Sequence, residues 1–215
     1  MPRKKKKRLA DIPPQTWPAL PELQALRALN SRCFAALAQA ACASGVGTPT
    51  AAVELLHSFA GTLDALAAER AGRCPVLLVY LHFQEGDWWG RIAEHQTPAA
   101  RLNGPPPLFA ADAAAPLLRE ILMEAWSLSR RMPQAARLLF GMSPTVVQVL
   151  TQLSMREIET VVHEHACALR PRWEDSRSFW AGLLRAVTGA DPEALTDVHL
   201  HCLALLGSEA ISRAA

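Results

Sequence analysis

The chain has 215 residues and a formal net charge of +2. Half of its residues are apolar and a fifth are charged, which excludes wholesale disorder and permits a sizeable core. No apolar run reaches the ~20 residues that cross a bilayer, and an apolar set dominated by alanine and leucine, with few aromatics, favours helices over sheet.

The chain opens on a basic run, Arg3, Lys4, Lys5, Lys6, Lys7 and Arg8. Without those six, 16 basic residues stand against 20 acidic ones and the body carries −4. All four lysines lie in the run, so the basic field belongs to a tail. Such a tail can neutralise phosphates or an anionic surface; its plainer reading is a solvated end. No apolar stretch follows it, as a secretory signal would require. Pro13, Pro14, Pro18 and Pro21 instead make residues 1–21 an extended leader.

Pro21 and Glu22 start a helix whose apolar face holds Leu23, Leu26, Leu29, Cys33, Leu37 and Ala40, ending at Gly45 and Gly47. Thr48 and Pro49 start the next, with Val53, Leu56, Phe59, Leu63 and Leu66 inward, closed by Gly72. Residues 75–83 are a short apolar run that fits either a buried strand or a buried helical turn. Residues 98–107, rich in Pro and Gly, read as a linker.

Beyond it, residues 112–132 predict a long helix with Leu118, Ile121, Leu122, Ala125, Trp126 and Leu128 as its inner stripe. A short helix over 135–140 ends at Gly141. Ser143 with Pro144 marks one helix start, and Ser154 with Glu157 completes a capping box for another. Two short helices joined at Leu153 and Ser154 fit a helix-turn-helix-like unit, which can place its second helix in a major groove. That helix offers Arg156 to phosphate, but Glu157, Glu159 and Glu164 make its exposed face acidic.

Arg170, Pro171, Arg172 and Trp173 read as a rigid corner from which Arg170 and Arg172 project, toward phosphate or into ion pairs with Glu174 or Asp175. Trp126 and Trp180 read as core or, on an exposed face, as anchors for a partner, and Cys167 joins them as a partner-contact candidate. His163, His165, Cys167, His199, His201 and Cys202 lack the pairing of a zinc site, so no metal or cofactor is expected. The five cysteines form no CxxC and suit buried thiols in a reducing cytoplasm. Phosphate-binding loops, dinucleotide fingerprints and nucleophile elbows are absent from the sequence, so no enzyme activity is expected.

From Gln134 onward the sequence resembles the FlhD family, one half of the bacterial flagellar master transcriptional activator. The resemblance runs through residues 135–142, the valine-rich helix after Ser143, residues 153–158, residues 172–176 and residues 195–206. It implies an all-helical domain that dimerises, partners an FlhC-like subunit and activates transcription at promoters. The expectation is thus an all-α, multi-helical, cytoplasmic protein divided into a leader (1–21), a helical region with or without one strand (22–97), a linker (98–111) and a helix-turn-helix-like, FlhD-like domain (112–215). Its expected role is a DNA-binding transcriptional regulator acting as a homodimer or hetero-oligomer, away from membranes. The alternative is a helical protein–protein adaptor that touches no DNA.

Overall fold

The computed structural model describes residues 20–43, 50–96, 107–189 and 192–212. Among the described residues are ten α-helices and one two-stranded sheet, an all-α multi-helical fold. The basic run, Gly45, Gly47 and most of the expected linker lie outside the described residues.

Helix α1 (Leu20–Ala43) buries Leu26, Leu29, Cys33, Leu37 and Ala41 at spacings of three and four, with Phe34 beside that stripe. The single helix expected up to Gly72 is two: α2 (Ala51–Ser58) and α3 (Ala65–Gly72), parted by a 3-10 turn at Ala60–Thr62. The reason is local. Gly61 weakens the helix, and the Asp64 carboxylate accepts from the Ala67 N–H at 2.8 Å, starting a new one. Leu66 consequently faces out, 49% exposed. Gly72 permits a close crossing, since a Cβ there would run into Ser31 and the Arg27 carbonyl of α1.

The 75–83 run contains strand β1 (Val79–Tyr80), antiparallel to β2 (Arg170–Pro171), with Val79 opposite Pro171 and Tyr80 opposite Arg170. Buried Asn30 of α1 pins the run from the other side. Its amide donates to the Cys74 and Val76 carbonyls (3.1 and 2.8 Å) and accepts from the Leu78 N–H (3.0 Å). A run bounded by Pro75 and read by a side chain in this way satisfies its backbone without a helix. Helix α4 (Gly86–Ala93) follows and buries Trp89.

Helix α5 (Ala111–Arg131) buries the expected stripe, with Trp126 only half-buried and Arg119, Glu120 and Glu124 exposed. Helix α6 (Pro133–Phe140) ends at Gly141 with φ +69°. Only glycine serves there, because a Cβ would also strike the Arg172 guanidinium. Helix α7 (Pro144–Gln152) is capped by Ser143, which accepts from the Val146 N–H (3.2 Å). Helix α8 (Met155–His165) carries the capping box: Ser154 accepts from the Glu157 N–H (3.3 Å), and Glu157 accepts from the Ser154 N–H (2.6 Å). A 3-10 turn at Ala166–Ala168 leads to β2, and α9 (Arg177–Thr188) and α10 (Pro192–Ser212) complete the chain.

Helices on either side of residues 98–111 pack together: α1 on α5, α4 on α7, and α2 and α3 on α9. The buried side chains form one cluster through both halves. Packing thus runs between helices on either side of the expected linker. No helix among the described residues is long and apolar enough to cross a membrane.

Candidate functional site

The residues singled out in the sequence do not converge. Arg3, Lys4, Lys5, Lys6, Lys7 and Arg8 lie outside the described residues. Arg156 is exposed in the first turn of α8. Beside it Glu157 is held below the usual carboxylate range by its Ser154 hydrogen bonds, and Glu159 is lowered by a fork of two 2.8 Å hydrogen bonds from Arg119. Those charges stay ionised, and the face around Arg156 is acidic at neutral pH.

The arginine corner does not project. Arg170 lies in β2, and its Nε and Nη2 donate to Glu174 at 2.9 and 2.7 Å. Arg172 is only 2% exposed, so it is withdrawn from phosphate. The reason is the sheet. The Arg172 N–H donates to the Leu78 carbonyl (2.8 Å), which draws the residue under α10, where Nη2 meets Glu209 at 2.9 Å. Trp173 turns back with φ +52°, and its ring lies 4.6 Å beneath the Arg172 guanidinium. Its indole donates to Glu209 at 2.5 Å, and Gln84 donates to the same carboxylate at 2.6 Å.

Trp180 is fully buried, donating to the Arg172 carbonyl at 3.0 Å, so it is core and not a partner anchor. Trp126 is half-buried, donates to the Leu153 carbonyl at 2.9 Å and lies under the Arg130 guanidinium. Its indole thus holds the α7–α8 turn. Cys167 is exposed, in the 3-10 turn after α8, and so does not share an α-helical face with His163. No group of three metal-ligating side chains occurs among the described residues.

Two features had no local signal. One is the charge centre just described, with Cys74 and Cys202 beside it, sulfurs 3.4 Å apart. The other is the outer face of α10. Val198 and Cys202 bury its inner side, while Leu200 and Leu203 are 60% and 52% exposed, next to exposed Ala204 and Gly207. Positions 200, 203, 204 and 207 form one stripe. Large apolar side chains exposed together on one helix face mark a candidate contact site.

Histidines give the surface a pH response. Burial lowers His165, which packs edge-on against Trp88 at 4.9 Å between centroids, with Glu164 opposing the shift and His82 adding to it. Burial also lowers His199 of α10, with a bond to the Arg73 backbone opposing it and Arg27 adding to it. A histidine lowered on folding binds its proton first in the unfolded chain. Stability is therefore full above the unfolded value near 6.5 and falls as pH drops through it. We expect the thermal midpoint to fall between pH 7.5 and 5.5, and the His165→Gln, His199→Gln double variant to flatten that slope. An unchanged slope in the double variant would place the acid response elsewhere.

Compared with protein-family models, curated proteins and solved structures, the chain matches none, and the flagellar reading rests on the resemblance of residues 134–206 alone.

Proposed function

We propose that the chain is an interaction subunit of a DNA-bound regulatory complex of the FlhD type. In this reading α10 docks a second polypeptide and the run Arg3 to Arg8 neutralises phosphate. The observation that carries the reading is the stripe of Leu200 and Leu203, the two most exposed large apolar side chains among the described residues. With Arg172 buried and Arg170 paired to Glu174, phosphate contact falls to the amino-terminal run, with Arg156 able to add one further charge. Specificity in this reading comes from the partner, an FlhC-like subunit, because phosphate contacts position a protein without reading sequence.

The test is DNA binding by the full chain and by residues 9–215 across a salt series. Six neutralised phosphates correspond to a log–log salt slope steeper by about 5. We expect the truncated chain to lose affinity for all sequences alike and to lose most of that slope. Equal affinity and slope for both chains would remove DNA from the reading. The acidic face of α8 favours a second reading, a helical adaptor without DNA contact, and that result would leave it standing. Co-purification from the host separates the two further. A second subunit lost on Leu200→Asp, Leu203→Asp substitution supports docking by α10 under either reading.

A further inference from the structure

The five cysteines fall into three chemical settings. Cys42 and Cys167 are exposed. Cys33 is buried in α1 with its thiol pushed up by burial. Cys74, just after α3, and Cys202, on the inner side of α10, are both buried and stand 128 positions apart with their sulfurs at 3.4 Å. A disulfide bond is about 2.05 Å long, so roughly 1.4 Å of closure separates these free thiols from a bond.

The surroundings favour the ionised form of Cys74, the form that thiol–disulfide exchange requires. Cys202 can donate its S–H to Cys74, which lowers Cys74 against the opposing effect of burial, with the buried Arg172 cation adding to the lowering; Cys202, the donor, is pushed up by that same bond and by burial and so keeps its proton until Cys74 has reacted. Arg172 has one hydrogen-bonded carboxylate, at Nη2, while its Nε and Nη1 are buried without a hydrogen-bond partner. A thiolate beside that guanidinium offsets part of its burial cost. Cys33 has no neighbouring thiol among the buried cysteines' contacts and serves as an internal control.

We infer that Cys74 and Cys202 form a reversible dithiol–disulfide site, oxidised by a low-molecular-weight disulfide, that ties α10 to the segment after α3. The Cys74 thiolate attacks one sulfur of the small disulfide. That S–S bond breaks, and the departing thiolate takes up the proton Cys74 lost. Cys202 then loses its proton and attacks the Cys74 sulfur of the mixed disulfide, releasing the second small thiol. The two cysteines are oxidised by two electrons, and the small disulfide is reduced to two thiols.

Both sulfurs are covered, so α10 must part from the body for the first attack. Its latch is Glu209, which accepts from Arg172, Trp173 and Gln84. Glu209→Gln weakens that latch and should speed cross-linking several-fold while leaving the bonded pair the same. The inference rests on the thiols and the latch, and holds whether or not α10 docks a partner.

The test uses the full chain with Cys42→Ser and Cys167→Ser, equilibrated with oxidised glutathione, acid-quenched, alkylated under denaturing conditions and mapped by peptide mass. The expected result is a Cys74–Cys202 cross-link with Cys33 left as a thiol. The thermal midpoint should rise by about 5–15 °C and revert with dithiothreitol, because a long loop is closed in the unfolded chain. Three results would overturn the inference: both thiols still free at equilibrium, a cross-link that involves Cys33, or a persistent glutathione adduct on Cys74 with Cys202 free. A Cys202→Ser control should stop at that adduct.

Discussion

Replacing Glu209 by alanine is expected to destabilise the fold by about 3 kcal/mol, measured by urea unfolding with an unchanged slope. Glu209 pairs at 2.9 Å with Arg172, whose side chain is almost wholly buried. Burial pushes the Arg172 guanidinium down, and the Glu209 carboxylate is the largest opposing influence. An arginine cannot escape by losing its proton, so removal of the carboxylate strands a cation in the core. The Trp173 indole and the Gln84 amide lose their acceptor in the same step. The pair itself need not be stabilising relative to apolar side chains of similar size. The Arg172→Met, Glu209→Leu double variant should therefore recover most of the loss, and Arg172→Met alone should be milder than Glu209→Ala. If Arg172 were instead a phosphate anchor, its loss would weaken DNA binding while stability stayed within about 0.5 kcal/mol, the range of surface substitutions.

What was legible in the sequence and what was not divides by chemical range. The starts of α7 and α8 were legible because Ser143 with Pro144, and Ser154 with Glu157, act on N–H groups within three residues. The end of α6 at Gly141 was legible as a helix stop, though not its second reason, the guanidinium of Arg172 pressed against it. The break between α2 and α3 was written in Gly61 and Asp64, but the apolar period ran through both residues and overrode them. Residues 75–83 stayed ambiguous because their order comes from distant groups: Asn30, Leu139 and the β2 strand. The arginine corner misled for a similar reason. A neighbour at i+4, Glu174, was foreseeable for Arg170, whereas the partner of Arg172 sits 37 positions on, beyond the reach of any local spacing. The Cys74–Cys202 pair left no trace in spacing, since only the fold brings positions 128 apart together.

Asn30 serves three backbone groups with one buried side chain, and Asn30→Ala is expected to cost about 4 kcal/mol in urea unfolding. The amide serves three backbone groups of the 74–78 segment: the carbonyls of Cys74 and Val76 and the N–H of Leu78. Alanine leaves all three buried without that partner, each at about 1–3 kcal/mol, with partial relaxation reducing the sum. Asn30→Asp separates donor from acceptor. An ionised aspartate still accepts from Leu78, but it faces two carbonyl oxygens with no proton to offer and is itself fully enclosed. Burial and those oxygens raise its folded-state pKa above the unfolded value of about 3.9. The folded chain then holds the proton longer, so stability is greatest below the unfolded value and falls as pH rises through the folded one. We expect Asn30→Asp to be distinctly more stable at pH 5 than at pH 7, with amide exchange at Leu78 slower at the lower pH. The same comparison runs opposite to the parent chain, whose lowered histidines make it less stable at pH 5. A parent-like pH slope in Asn30→Asp, or a loss below about 1 kcal/mol in Asn30→Ala, would mean that water or backbone movement satisfies the 74–78 segment without this side chain.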